Sequence, residues 1–314
     1  MSVKEQAGSL IPVAGDSPYK VGRKTVPLTN LNKVYWPEEG YTKGDMIRYY
    51  EAVSKFILPY LKNRPLSLKR NPNGINEEGF YHKDAGENAP SWMKVENIYS
   101  DSSHKIIHYL VCNDLPSLIY IANLGCIEMN PWNSRVGSLD NPDYLVIDLD
   151  PADENTFDQV IEAANVVHDI FSKHGAESYC KTSGASGLHI YVPMGAKYTY
   201  EQVKDFGHII ASMVVEQIPS FSTIERPLNK RRGRMYIDFL QNRQGQTLAS
   251  AYSIRPKAGA TVSTPLDWKE VKKGLHPSQF TIKNAISRFE KKGDLFAGAL
   301  KKGIDLNRFL KALG

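Results

Sequence analysis

The sequence predicts an α+β protein whose second half is a ferredoxin-like, or RRM-like, β-α-β-β-α-β sheet. Three observations carry that prediction. Segments after Tyr144 alternate apolar and polar residues with the period of a strand, the two segments between them repeat apolar residues at helical spacing, and each helical segment opens on a Thr-x-x-Gln box. In such a split βαβ unit the helices cover one face of the sheet and leave the other open.

The elements follow in order. YLVIDLD, beginning at Tyr144, is the first strand, and Thr156 to Gln159 opens a helix that continues through Val160, Ala164, Val167 and Phe171 to Gly175. AESYCKTS is the second strand. A glycine loop, Ser183-Gly184-Ala185-Ser186-Gly187, leads into the third, LHIYVP. Thr199 to Gln202 opens the second helix, which ends near Pro219, and RMYIDFL supplies the fourth strand. Upstream, Ile47, Tyr50, Val53, Ile57 and Leu61 recur at helical spacing and predict a helix from Lys43 to Leu61, stopped before Pro65. Arg64 to Asp84, centred on NPNG, predicts a hairpin or exposed loop. The expected organisation is a flexible leader or linker remnant over residues 1–20, an N-terminal α/β lobe over 21–143, and a catalytic lobe with C-terminal elements over 144–314, the two lobes forming one domain.

Composition narrows the class. With 314 residues, 41% hydrophobic and 23% charged, the chain can bury a substantial core and is no disordered tail. No apolar run is long enough to cross a bilayer, and the first residues lack the pattern of a signal peptide, so no membrane partner and a cytoplasmic location are expected. Cys112, Cys126 and Cys180 are far apart, without a CxxC pair for zinc or redox chemistry. A net charge of +5 permits a polyanionic partner. Its placement matters more: basic residues stand beside aromatic or glycine residues at Lys33 to Lys43, at Lys69 and Arg70 ahead of Phe80 and Tyr81, and at Lys230 to Arg234, a pattern that suits nucleic acid.

Strand alternation assigns faces. Leu145, Ile147 and Leu149 point one way in the first strand, Asp148 and Asp150 the other. Leu188, Ile190 and Val192 oppose His189 and Tyr191; Met235, Ile237 and Phe239 oppose Tyr236 and Asp238. In the strand order 4-1-3-2, Asp238 lies beside the Asp148 and Asp150 pair, with His189 on the other side. Three carboxylates on one sheet face repel unless cations neutralise them, and two hard divalent ions held about 4 Å apart suit phosphoryl or nucleotidyl transfer. Ser183 to Gly187 offers hydroxyls and backbone N–H groups as an anion cradle for a triphosphate.

On these residues the sequence resembles the primase-polymerase domain of bacterial ATP-dependent DNA ligase D, in the archaeo-eukaryotic primase superfamily. The likeness runs from about Val21 to the last residues through LTNLNKVYWPEEGYTKGDMIRYY, KRNPNG followed by Phe80 and Tyr81, NPWNSR, DYLVIDLDP, KTSGASGLHIYVP, YIDFLQN and AYSIRPKAGATVSTPLDW. It implies a primase-like fold and a template-dependent polymerase that adds ribo- or deoxynucleotides to a primer at gapped or broken DNA in bacterial non-homologous end joining. It also implies two metal ions, Mn²⁺ or Mg²⁺, held by Asp148, Asp150 and Asp238. Ser183, Gly187 and His189 match the loop that holds the triphosphate, and Arg255, Gln241, Lys69 and Arg70 match further nucleotide positions. Asn30, Lys33 and Lys43 match recognition of a downstream 5′-phosphate, Phe80 and Tyr81 match stacking on the template, and Arg231 matches a loop arginine near the primer end. Asn130 and Ser186 also stand at nucleotide positions, where many members carry His and Lys, so two cationic contacts are absent. The implied partners are DNA ends, NTP or dNTP, a ligase and Ku-type end-binding proteins on the nucleoid. No KxDG ligase signature occurs, so joining activity is expected to reside elsewhere.

Two other readings compete. A catalytically silent single-stranded nucleic-acid-binding module would stack bases on Tyr191 and Tyr236. A DxD glycosyltransferase would use Asp148 and Asp150 but gives Asp238 no role.

Overall fold

The computed structural model describes residues 16–86 and 88–313. They form a mixed α/β structure of two compact units, and the chain passes repeatedly between them. One unit holds the residues up to Trp132 together with Leu248–Ser263 and Phe280–Gly293; the other holds Asn133–Thr247, Thr264–Gln279 and the residues from Asp294.

In the first unit β1 (Ser17–Val21) and β2 (Lys24–Leu28) form an antiparallel hairpin. Residues 1–15 of the expected leader lie outside the described residues, but Ser17 to Lys20 are strand, because Tyr19 is buried opposite Val26 and its hydroxyl donates to Glu51 at 2.8 Å. After β3 (Val34–Trp36) and β4 (Tyr41–Thr42), the helix expected over Lys43 to Leu61 is two, α1 (Lys43–Ala52) and α2 (Ser54–Leu61). The break falls at Val53, whose backbone at φ −91° and ψ 6° closes α1 through its N–H to the Tyr49 carbonyl while its own carbonyl accepts from Phe56 and Ile57 to start α2; Pro59 lies within α2. The turn-rich stretch is the expected hairpin, β5 (Leu66–Arg70) and β6 (Phe80–His82). β7 (Lys94–Ser100) and β8 (Lys105–Val111) form a further ribbon, and α3 (Leu115–Asn123), capped by Asp114, leads to β9 (Cys126–Pro131), which completes a sheet of order β6-β5-β9.

The second unit contains the predicted sheet. β10 (Tyr144–Asp150), α4 (Phe157–Lys173), β11 (Tyr179–Thr182), β12 (Leu188–Pro193), α5 (Tyr200–Gln217), β13 (Ser222–Thr223), α6 (Leu228–Arg231), β14 (Met235–Asp238) and β15 (Pro265–Leu266) follow in sequence. Spatial order is β13-β14-β10-β12-β11-β15, so the expected 4-1-3-2 core is present with a short strand added at each edge. Both Thr-x-x-Gln boxes close as predicted, Thr156 with Gln159 and Thr199 with Gln202, each satisfying N–H groups that a helix start leaves unpaired. Leu145, Ile147, Leu188, Ile190 and Val192 are fully buried, each stabilising by about 1.5–3 kcal/mol. α7 (Ala285–Lys292) returns to the first unit, where Phe289 meets Tyr252 edge-on at 4.7 Å. α8 (Leu306–Leu313) belongs to the second, where Phe309 packs 5.4 Å from Phe171.

Two expectations change. The lobe boundary at residue 143 is replaced by an interleaved division, because Tyr252 and Ser253 belong to the first unit's core: Tyr49 donates to the Tyr252 carbonyl at 2.8 Å, and the Ser253 hydroxyl accepts from the Met129 N–H at 3.0 Å. The open sheet face is open only at one end. Tyr144, Val146 and Tyr191 are buried on it, with Tyr191 wedged edge-on between Tyr144 at 5.2 Å and Phe296 at 5.0 Å.

Candidate active site

Register places the acidic residues. On β10, Asp148 lies directly opposite His189 of β12 on one side and Asp238 of β14 on the other, while Asp150 lies opposite Tyr236. The row His189, Asp148, Asp238 thus runs across three strands, with Asp150 two residues along the same face. Like charges directly opposite one another are unfavourable. Burial pushes the Asp238 carboxyl above its ordinary range, and the Asp150 charge adds to this. The Leu240 N–H, 2.7 Å from Oδ1, and the Gln241 amide, 2.9 Å from Oδ2, act in the opposite sense. That Leu240 bond also ends the strand at Asp238, sooner than the alternation predicted, by turning the chain on the aspartate's own side chain.

Asp150 has a cation already. Arg231 Nη1 donates to its Oδ2 at 2.9 Å, and the guanidinium lies over the Tyr236 ring at 4.4 Å. Among the described residues no three His, Cys, Asp or Glu side chains are gathered around a single ion position. The donor set nonetheless fits hard divalent cations: it is all carboxylate oxygen, and it carries a charge surplus that Arg231 only partly offsets.

The glycine loop hugs the end of β10. A Cβ at Gly187 would lie 2.0 Å from the Leu149 carbonyl oxygen, so no larger residue fits without moving the backbone. Ser183 holds the loop from inside, its hydroxyl accepting from the N–H groups of Ala185 and Gly187 at 3.0 Å each. Those two N–H groups are therefore used within the loop, and Ser183 shapes the cradle; Ser186 is exposed on its rim. Beside it stands a residue that the sequence reading passed over. Lys181 is fully buried, lies opposite His189 across β11 and β12, and places Nζ 2.8 Å from His189 Nδ1. His189 Nε2 faces Asp148 Oδ1 at 3.4 Å. Counting back from the predicted His189 across the loop would have found Lys181, since both lie on the carboxylate side of adjacent strands.

The first unit carries the basic and aromatic positions. Adjacent strand residues point to opposite faces, so the pairs read together in the sequence are divided. Lys69 lies over Tyr81 at 4.8 Å and donates to the Gly79 carbonyl at 2.8 Å. Arg70 lies over Phe80 at 5.4 Å and donates to the Leu124 carbonyl at 2.8 Å. Phe80 and Tyr81, on the edge strand β6, are 46% and 59% exposed, enough to offer ring faces to a partner. Arg255 pairs with buried Glu128 at 2.6 Å, a second partner missed in the sequence. The side-chain amide of Asn130 is buried and donates to the carbonyls of Ser67 and Glu128 at 3.2 and 3.4 Å.

Near the start of α1, Lys43 is buried with Nζ donating to the Thr29 carbonyl at 2.7 Å, and its backbone N–H bonds the Lys33 carbonyl. Burial lowers its pKa to about 8; Asp16 opposes the shift, while Lys33 and Arg70 reinforce it. Lys33 is exposed and contacts Asn73 at 2.5 Å, and Asn30 turns the chain in the left-handed region at φ 55°. The result is a local surplus of positive charge around a short loop and a helix start.

Comparison with known proteins bears on these two sets of residues. The family described as LigD, primase-polymerase domain, matches residues 42–296. The bifunctional non-homologous end joining protein LigD of Bacillus subtilis is 35% identical over 267 residues, covering 85% of this chain and 43% of that protein. The multifunctional non-homologous end joining protein LigD of Mycolicibacterium smegmatis is 29% identical over 276 residues, covering 87% and 36% respectively. The chain thus spans less than half of these relatives. The polymerase domain of Mycobacterium tuberculosis ligase D, solved in complex with DNA, superposes with a TM-score of 0.81 at 26% identity, covering 89% of this chain and 99% of that one.

Proposed function

We propose, from the premise that this chain belongs to the LigD primase-polymerase domain family, that it extends a primer on a DNA template at gaps and broken ends in bacterial end joining. The observation that carries the reading is the register that sets Asp148 between Asp238 and His189 with Asp150 alongside. In the reaction the primer 3′-hydroxyl attacks the α-phosphate of a nucleoside triphosphate and pyrophosphate leaves. Asp148 and Asp150, with Asp238, would hold two divalent ions, Mn²⁺ or Mg²⁺, which supply activation of the hydroxyl and neutralise the departing phosphates.

The chain's own residues do the rest. The Ser183–Gly187 loop and His189 hold the triphosphate beside the carboxylates, and Gln241 keeps Asp238 oriented. Arg231 must release the Asp150 oxygen that it binds before that oxygen serves an ion, which leaves its guanidinium for the anionic primer end. Lys69 and Arg255 serve the nucleotide, and Phe80 and Tyr81 stack on the template strand, a contact tolerant of sequence. Asn30, Lys33 and Lys43, with Arg70 adding to their field, take the 5′-phosphate across a gap. A ligase and an end-binding protein of the Ku type on the nucleoid complete the repair reaction. No helix among the described residues is long and apolar enough to cross a membrane.

The binding-module reading loses support because Tyr191 and Tyr236 are only 6% and 2% exposed and offer no ring face to a base. The decisive assay is extension of a labelled primer on a gapped duplex with Mn²⁺ by the wild type and Asp150→Ala. Equal extension by both proteins sinks the mechanism.

A further inference from the structure

We propose that Lys181 is a positioning residue that fixes His189 as the imidazole protonated on Nε2, so that this histidine offers an N–H donor to a phosphate oxygen and no lone pair to a metal ion. The inference rests on the polymerase reading for its functional consequence, but the tautomer itself stands on geometry. Lys181 Nζ is 2.8 Å from His189 Nδ1. An ammonium group has three donors and no acceptor, so the contact is a hydrogen bond only if Nδ1 carries the lone pair. The proton then sits on Nε2, the nitrogen that faces Asp148.

The arrangement is locked. Lys181 is 0% exposed and His189 is 3% exposed, and they are register partners on neighbouring strands, with Lys181 also opposite Pro265 of β15. The Tyr191 ring face, 5.6 Å from Nζ, supports the buried charge. Rotating the imidazole would point a carbon at Nζ and lose this hydrogen bond between two buried groups, which is unfavourable. At 3.4 Å the Nε2 to Asp148 contact is longer than a normal N–H···O bond, so a phosphate oxygen beside the carboxylate row can compete for this proton. The family resemblance sets His189 in the loop that holds the triphosphate; the lysine behind it supplies the tautomer that this role needs.

The test combines a spectrum with kinetics on the full chain. Nitrogen-15 shifts of labelled histidine, assigned with His189→Gln, distinguish a pyridine-type from a pyrrole-type ring nitrogen without any metal present. The expected wild-type pattern is pyridine-type Nδ1 and pyrrole-type Nε2, and Lys181→Met is expected to lose it. The same substitution should lower kcat/KM for the nucleotide by about 10–100-fold, mostly through KM, with partial rescue in Lys181→Arg and no further loss when added to His189→Gln. A wild-type spectrum with the proton on Nδ1, an unchanged spectrum in Lys181→Met, or losses that add in the double variant would each overturn the proposal. If Lys181→Met does not fold, the wild-type spectrum alone decides. A wild type that shows the expected tautomer yet extends no primer removes the polymerase reading and leaves the positioning role standing.

Discussion

The acidic row of the second unit and the basic cluster of the first carry opposite charge surpluses and manage them by different means. Asp148, Asp150 and Asp238 are set by strand register, so their closeness is imposed by the backbone ladder and relieved locally by Arg231 and by N–H donors. Lys33 and Lys43 lie at a loop and a helix start, the Lys33 side chain held by Asn73, the Lys43 side chain by the Thr29 carbonyl, and the two backbones joined by the Lys43 N–H to the Lys33 carbonyl. Lys43 bears its surplus by burial with a lowered proton affinity, with no carboxylate within ion-pair distance among the described residues. A ladder places charge rigidly where geometry matters for reacting atoms. A loop places it where a phosphate needs only to be attracted.

That contrast can be broken experimentally, and the largest effect is expected at the row. Asp150→Ala should reduce primer extension by about 10³-fold or more, roughly 4 kcal/mol of barrier, while its melting temperature stays equal or rises because a repelling charge is gone. Retained extension would mean that the row is not the reaction centre. Next come the exposed rings: Tyr81→Ala or Phe80→Ala should weaken template binding by about 1–3 kcal/mol per base lost, measured by titrating overhangs of several sequences, and a sequence-specific loss would contradict stacking. Lys33→Ala should reduce the preference for a 5′-phosphorylated gap and lower the salt dependence of binding by about one ion. Lys43 sharpens the point through pH. Its folded pKa of about 8 lies below the ordinary 10.5, so its charge is present below pH 8 and lost above it. The 5′-phosphate preference should therefore fall as pH rises through 8, and should lose that pH dependence in Lys43→Met. By the same linkage, the stability penalty of burying this charge is full below pH 8 and vanishes above 10.5.

The smallest effect concerns Asp238. Its raised carboxyl pKa means that a proton is held more tightly in the fold than in the unfolded chain. The resulting stabilisation is complete below the ordinary carboxylate pKa and is lost as pH rises through the raised value. Added Mn²⁺ should raise the melting temperature at pH 7, and progressively less in acid, because Asp238 holds its proton above the ordinary carboxylate range. A pH-independent shift, or one that persists in Asp150→Ala, would place the ion elsewhere.

The row is legible in the sequence, since period-two alternation in the strands and one topology suffice to bring Asp148, Asp238 and His189 side by side. The rest was hidden for specific reasons. β13 and β15 are two residues each, too short for any periodicity. The motif containing Asn130 gives no hint that its amide bonds two main-chain carbonyls. Lys69 and Arg70 look like one basic pair on paper, and only the pleat separates them. Asn242 stands at the end of the YIDFLQN motif, but nothing in that motif shows that its side chain supplies both hydrogen bonds to the Val146 backbone where β14 has already ended.

The interleaved path of the chain has a consequence for synthesis on the ribosome. The first unit lacks Leu248–Ser263 and Phe280–Gly293 until late in translation, so the aromatic partners Tyr252 and Phe289 are missing from its core while Asn133–Thr247 emerges. At about 5–20 residues per second, the nascent N-terminal segment must wait seconds with its apolar side chains uncovered. That interval is the window in which a co-translational chaperone would matter most.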